Sequence, residues 1–411
     1  MLATRPTRDP SSPLISVVMA SYRAGPRLVR ALDSVQGQSV DDLEIIVSDD
    51  ASGDDSAALV RRAMASDTRI RLIEAECNGG PARARNRALD MARGQWIAIV
   101  DADDIIHPER FERLLAAAAH FDADAVADDL LHFHEDGAPV GFLLGERQRQ
   151  PFGVAPSDWV LAGISPDTAP LGYLKPMIKA ASLGALRYDE SLRIAEDYDL
   201  VLRLLLAGAR LQVIPQPWYL YRRHGASISH RLSGRDLGSM IDNQQRLMAR
   251  EGPFPAPLQA ALELRLARLR RSRDYEGLVE AIKRRRIGPV LKLLAGRPWF
   301  AARLWASLRD RQRNRSAVSH ADQGDVPAVL RLGEGLDPAH HVPPYIDPQA
   351  TDWADLPPRA IWAALANLGG GAMVSVQCDD AAGRYAAGFM PMAQATRSPA
   401  GAALHPEGAT P

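Results

Sequence analysis

Short apolar runs alternate with amphipathic stretches through the first half of the chain. Leu14 to Ala20 reads as a strand ending at Ser21-Tyr22. After Gly25 the pattern predicts a helix from Pro26 to Val35, with proline at its first turn, where the missing N–H costs nothing. Leu43 to Ser48 is a second strand, running into Asp49-Asp50-Ala51-Ser52-Gly53, and a helix through Ala57, Leu59, Val60 and Met64 follows. Ile70 to Ile73 predicts a third strand, the turn Asn78-Gly79-Gly80-Pro81, and a helix through Ala84, Ala88 and Met91. Trp96 to Val100 is a fourth apolar run, continuous enough for a strand buried on both faces, and it meets three carboxylates: Asp101, Asp103 and Asp104. Strands alternating with helices of this length predict βαβ units, right-handed crossovers and a mostly parallel sheet flanked by helices.

The pattern continues less regularly. A helix is expected from Pro108, then a strand from Ala123 to Ala127 ending in Asp128-Asp129. His132, His134 and Glu135 lead to a turn at Asp136-Gly137, and a polar hairpin face explains them better than metal ligation. Residues 141–170, rich in Gly and Pro, read as irregular and suit an acceptor-binding loop. Leu200, Leu202 and Leu204 mark a strongly apolar helix closed by Gly208, with Glu196, Asp197 and Asp199 in its first turn. The helix dipole favours carboxylates there, but capping accounts for one or two acids rather than three. Val213-Ile214, a bend at Pro215 and Pro217, and a strand from Trp218 to Tyr221 follow, ending in the basic cluster Arg222-Arg223-His224.

The chain has 411 residues, 46% of them apolar and 24% charged, with a formal net charge of −1, as expected of a globular protein with two domains and a small third part. That near-zero charge hides a basic segment, residues 262–315, in which Arg265, Arg268, Arg270, Arg271, Arg273 and Lys283 to Arg286 are interleaved with Leu291, Trp299 and Trp305. Basic helices with an aromatic-containing apolar face suit peripheral contact with an anionic membrane surface; a solvated cap on the catalytic domain is the competing reading, and nothing favours nucleic acid. Residues 316–411 carry too little periodicity to assign, beyond a short helix near Pro358 to Leu368 and a strand near Met373 to Cys378. The two cysteines, Cys77 and Cys378, lack metal-ligand spacing, so a reducing, cytoplasmic setting is expected. Residues 1–13 have no apolar core and read as a disordered N-terminus rather than a signal, and no apolar run is long enough to span a membrane.

In a parallel sheet, the polar strand ends converge on one edge, where ligands bind. Tyr22 offers a face to a nucleobase, Asp50 an acceptor to a base or ribose, and Arg85 a phosphate partner. Carboxylates crowded at the end of the fourth strand repel one another unless an ion such as Mg²⁺ or Mn²⁺ lies among them; the competing reading makes Asp103 or Asp104 the cap of the next helix. Arg222 and His224 suit a diphosphate. Neither a P-loop nor a G-x-G-x-x-G turn follows the first strand, which disfavours both of those nucleotide sites.

Taken in order, Ile15-Ser-Val-Val-Met-Ala-Ser-Tyr22, Glu44 to Ser52, Asn78-Gly79 with Ala84-Arg85-Asn86, Val100 to Asp104 with Pro108, and Glu196-Asp197-Tyr-Asp-Leu200 resemble the motifs of the family 2 glycosyltransferases, which have the GT-A fold. The resemblance covers residues 13–230. Gly172-Tyr-Leu-Lys175-Pro176-Met177, Arg187 to Glu190 and Tyr221 to Ser229 look most like the glycosyltransferases of succinoglycan-type exopolysaccharide assembly. The resemblance implies a catalytic domain over residues 14–235, followed by a basic helical extension over 236–315. It implies a nucleotide-sugar donor, a UDP-hexose by the family's habit, and a glycan or lipid-linked acceptor. By the same resemblance Asp50 binds the uracil or ribose, Ala20 and Tyr22 line the base pocket, and Asp101-Ala102-Asp103 is the D-x-D motif. Asp103 would hold Mg²⁺ or Mn²⁺, Asp101 would reach ribose or metal, and Asp197 would be the general base of an inverting transfer. The family usually has Asn where this chain has Arg23. A metal-dependent nucleotidyltransferase and a binding protein without turnover are the alternative functions.

Overall fold

The computed structural model describes residues 12–134, 141–145, 148, 150–164, 168–223, 232–285, 372–379 and 384–391. In chain order its elements are β1 (Ile15–Ser21), α1 (Pro26–Gln36), β2 (Leu43–Asp49), α2 (Ser56–Met64), β3 (Ile70–Glu74), α3 (Pro81–Met91), β4 (Trp96–Ile99) and β5 (Ile105–Ile106). Then come α4 (Arg110–His120), β6 (Ala125–His134), β7 (Gly141–Phe142), β8 (Phe152–Val154), α5 (Pro156–Leu161), β9 (Met177–Lys179) and α6 (Ala180–Leu183). The chain continues through α7 (Glu196–Leu206), β10 (Leu211–Arg223), α8 (Gly234–Glu251), α9 (Ala256–Lys283) and an antiparallel pair, β11 (Ala372–Asp379) and β12 (Arg384–Pro391).

The main sheet runs β3-β2-β1-β4-β9-β6-β10-β5, with β7 on β6 and β8 on β10. Its first four strands are parallel, as the alternation of strands and helices requires. Val17, Val18, Met19, Ile45, Ile46 and Val47 have no exposed surface, because helices cover both faces of these central strands. β9 then enters antiparallel between β4 and β6, so the second half of the sheet is mixed. The result is an α/β architecture with every polar strand end of the parallel half on one edge.

Four sequence expectations need correction. β6 does not end at Asp128-Asp129 but passes through them, because Asp128 is neutralised inside the core by Arg110. Val213-Ile214 and Trp218–Tyr221 belong to one strand, β10, whose register against β6 shifts on either side of Pro217 where proline cannot donate to the ladder. The stretch 141–170 is not irregular throughout: it holds β7, β8 and α5. Neither Asp103 nor Asp104 caps the following helix; α4 starts at Arg110 with Glu109 before it. The hairpin reading of His132 holds, since β6 pairs antiparallel with β7, and the His132 ring packs edge-on to Tyr221 at 5.2 Å. The predicted strand near Met373 is β11, whereas the predicted helix near Pro358, the N-terminal segment and the basic residues after Arg285 lie outside the described residues.

Helices α8 and α9 are part of the same core. Leu247, Leu258, Ala261 and Leu262 join the hydrophobic cluster that contains the sheet. The Arg265 guanidinium lies over the Tyr198 ring at 3.9 Å, a cation–π contact that ties α9 to the start of α7.

Candidate active site

Each part of the site is held by its own local device. At the end of β2, Asp49 turns the chain, accepting from the Ser52 amide at 3.0 Å. Asp50 points the other way, towards the turn at the start of α3. Its carboxylate accepts from the amides of Gly79 and Gly80 and from Arg87 Nη2 at 2.6 Å. Gly80 has φ +86, a conformation that glycine alone adopts without strain, and this aims its N–H at Asp50. The Asp50 amide donates to Ser21 O at 2.8 Å, joining the ends of β1 and β2. Ala20 is half-buried in β1, and Tyr22 is 45% exposed, with the Arg23 guanidinium over its ring at 5.1 Å.

Arg23, in place of the family's Asn, takes φ +51, the left-handed region that Asn tolerates better. Its amide donates to Ser52 Oγ and its Nε to Ser52 O, so two hydrogen bonds hold the strained loop. Ala51 and Ala195, which border Asp50 and Glu196, also have positive φ. Strained backbone of this kind clusters at functional sites.

The centre of the site is a cluster of opposite charges between β4 and α7. Arg85 Nη2 donates to Asp101 Oδ1 and Nη1 to Glu196 Oε1, both at 2.7 Å, while Asp197 Oδ1 lies 3.4 Å from Nη1. Lys175 Nζ is 2.8 Å from both Asp101 Oδ2 and Asp197 Oδ2. Burial pushes the Asp101 carboxyl up, but Lys175 and Arg85 outweigh it and hold it well below the usual range. Burial alone would lower the Lys175 ammonium, yet Asp101 and Asp197 raise it well above its ordinary value. Glu196 is shifted up, first by burial and then by the Asp197 charge beside it. The Tyr188 ring stacks on the Arg85 guanidinium at 5.5 Å, and Asn86 pins Tyr188 in place, donating to its carbonyl at 3.0 Å and accepting from its amide at 2.8 Å. Asp197, Lys175 and Tyr188 line a pocket floored by Ile99 and Leu200.

The loop after β4, Asp101 to Asp104, is fixed from the β10 side. The Asp101 amide donates to the Tyr219 hydroxyl at 3.0 Å. Arg222 donates from Nε to Asp103 O at 2.7 Å and from its amide to Asp104 Oδ1 at 2.8 Å. Asp104 is buried, and burial together with the Asp103 and Asp101 charges raises its carboxyl well above the usual range.

The structure therefore brings Asp101, Arg85 and Asp197 together, with Asp103 two residues along the same loop. Arg85, expected at a phosphate, is engaged by three carboxylates, and Arg222 by the Asp103 carbonyl and the Asp104 carboxylate. His224 lies outside the described residues. Lys175, Glu196, Tyr188 and Asn86 had no role in the sequence reading. Arg85 gave a signal: it shares a helical face with Ala82 and Leu89, both buried, so periodicity turns it inward.

Residues 16–153 match the family described as Glycosyl transferase family 2. The "Succinoglycan biosynthesis protein ExoO" of Rhizobium meliloti (strain 1021) is 32% identical over 308 residues, which cover 74% of this chain and 88% of that one. The chain belongs to glycosyltransferase family 2. A second relative, "Succinoglycan biosynthesis protein ExoU" of the same organism, is 31% identical over 245 residues, covering 57% of this chain and 69% of the other. Among solved structures, S. aureus TarS in complex with UDP-GlcNAc aligns with a TM-score of 0.53 at 19% identity, over 68% of this chain and 79% of that one. That likeness shows the GT-A fold. The chain is thus a glycosyltransferase whose relatives are named for exopolysaccharide synthesis.

Proposed function

We propose that this glycosyltransferase moves a hexose from a UDP-sugar to a glycan or lipid-linked acceptor by a single, inverting displacement. The observation that carries the reading is the one ammonium, Lys175 Nζ, shared at 2.8 Å by Asp101 of the D-x-D loop and Asp197 of α7. In this reading Asp101 serves the donor side and Asp197 is the base, two acids held within reach of each other by Lys175 and Arg85. Asp197 removes the proton of the acceptor hydroxyl as its oxygen bonds to the anomeric carbon, and the bond to the nucleoside diphosphate breaks with its electron pair leaving on the phosphate. Tyr22 stacks on the base and Asp50 holds the strand-end loops around the nucleotide.

The residues fit a divalent ion. Asp104 Oδ2 is buried without a hydrogen-bond partner, and its carboxyl is raised first by burial and then by the Asp103 and Asp101 charges, which a cation would offset. Among the described residues no group of three or more His, Cys, Asp and Glu could hold an ion; Mg²⁺ or Mn²⁺ would be held by Asp103 with donor phosphates completing the shell. Bound there, the ion would neutralise the charge gathering on the departing diphosphate. Asp103→Ala should therefore abolish the dependence of donor binding on Mn²⁺, checked by calorimetry with and without the ion; undiminished Mn²⁺ dependence removes Asp103 from that role.

The activity itself is tested by incubating the purified protein with a panel of nucleotide-sugars and identifying the product. Release of a nucleoside diphosphate supports transfer, release of pyrophosphate indicates a nucleotidyltransferase, and binding without release indicates an inactive binder.

Peripheral membrane contact is part of the reading. Among the described residues no helix is long and apolar enough to cross a membrane. On and just after α9, Arg268, Arg270, Arg271, Arg273, Lys283, Arg284 and Arg285 are exposed, against exposed Glu263 and Glu280. Each cation near an anionic surface adds about 1 kcal/mol of attraction. Flotation should recover the protein with phosphatidylglycerol vesicles and not with phosphatidylcholine alone; equal recovery with both, or none, removes the membrane from the account.

A further inference from the structure

Lys175 belongs to none of the roles above, yet it is the residue on which the two halves of the site meet. Its side chain is 7% exposed, and its carbonyl is held by Arg110 Nη2 at 2.7 Å. Arg110 is itself fixed by Asp128, and neither side chain of that pair has exposed surface. The Lys175 backbone is thus anchored from the interior, and its ammonium is delivered between β4 and α7. There it reaches one oxygen of Asp101 and one of Asp197, while Arg85 contacts the other oxygen of each. Two cations and two carboxylates form a closed ring that fixes the rotation of both acids.

We propose that Lys175 is a positioning residue of the transfer reaction, acting through Asp197: it fixes the distance and orientation of the base relative to the donor-side acid. The inference rests on the glycosyltransferase reading above and adds to it a residue whose ammonium joins Asp101 to Asp197. Lysine suits this point because its ammonium, on a long flexible stem, can donate to both acids at once. A neutral side chain of similar length opens the ring and leaves Arg85 to bridge the two carboxylates without the ammonium.

The test is a double-mutant cycle on donor turnover, with Lys175→Met, Asp197→Asn and the pair, each checked for folding by its thermal melt. Lys175→Met alone should lower kcat by about tenfold or more, with the donor KM little changed, because misplacement of a reacting group by an ångström costs rate rather than binding. In the Asp197→Asn background the same change should cost less than about threefold, because the orientation it maintains no longer matters. A purely structural lysine would give equal losses in both backgrounds, and that result overturns the proposal. Should Lys175→Met fail to fold, Lys175→Arg keeps the charge and can be compared in the same two backgrounds, again with unequal losses expected and equal losses fatal. If the wild-type protein releases no nucleoside diphosphate from any donor, the glycosyltransferase reading fails, an outcome distinct from equal losses in an active enzyme.

Discussion

Replacing Asp197 by Asn leaves nucleotide binding intact and lowers the transfer rate by at least about a hundredfold. General-base assistance is worth about 10²–10⁴-fold, and the amide cannot accept the acceptor's proton. It keeps the shape of the carboxylate and one oxygen for Lys175 Nζ, now 2.8 Å from Asp197 Oδ2, so the pocket wall should not collapse. Tyr22, Asp50 and Asp103, proposed here for the donor, lie outside α7, and Asp101 keeps its own bonds to Arg85 and Lys175. Initial rates with saturating donor, set beside calorimetric donor affinity, separate the two effects. Near-wild-type turnover in Asp197→Asn would remove Asp197 from the chemistry, and lost binding would make it a donor ligand.

The largest loss of stability is expected at a pair remote from the nucleotide. Asp128 and Arg110 are fully buried, with Arg110 Nε 3.0 Å from Asp128 Oδ2 and Nη2 2.8 Å from Oδ1. The guanidinium also lies over the Tyr219 ring at 4.9 Å. Asp128→Ala leaves a buried cation whose remaining protein acceptor is the Lys175 carbonyl, and it deprives the Trp218 amide of its acceptor. Breaking a buried pair in this way costs about 3–5 kcal/mol. For a domain of this size that lowers Tm by roughly 10 °C. The double replacement Arg110→Met with Asp128→Leu removes both charges and should recover most of the loss, because an apolar pair of similar volume needs no neutralisation. Calorimetric or fluorescence melts of the three variants decide it; a drop under about 2 °C for Asp128→Ala would show that water or another group reaches the arginine.

The parallel half of this molecule is legible in the sequence because each strand is a run of β-branched residues and each ends in a polar cluster. Nothing local competes with that pattern, so Ser21-Tyr22, Asp49-Asp50 and Asp101 fall on the sheet edge as the topology demands. The second half is less legible for identifiable reasons. β9 is three residues long and follows Pro176, too short for any periodicity, yet it sets the antiparallel turn of the sheet. β6 carries Asp128 and Asp129 through its middle, and acids there read as a strand end unless the buried Arg110 partner is known. The site shows the same division. Asp103 and Asp197 stand in motifs with a local signature. Lys175 lies 74 residues from Asp101 and 22 from Asp197, and only the fold brings its ammonium to both. Arg85 lay in a motif, but its three acidic partners were not legible there, since a cation near a nucleotide site suggests phosphate first.

A crystal structure of the protein with UDP and Mn²⁺ tests the shared cleft most directly. The account predicts the ion on Asp103, the uracil against Tyr22, and the terminal phosphate facing the pocket that Asp197 and Lys175 line. Electron density placing the ion and diphosphate away from Asp103, or on a face that Asp197 does not reach, would contradict it.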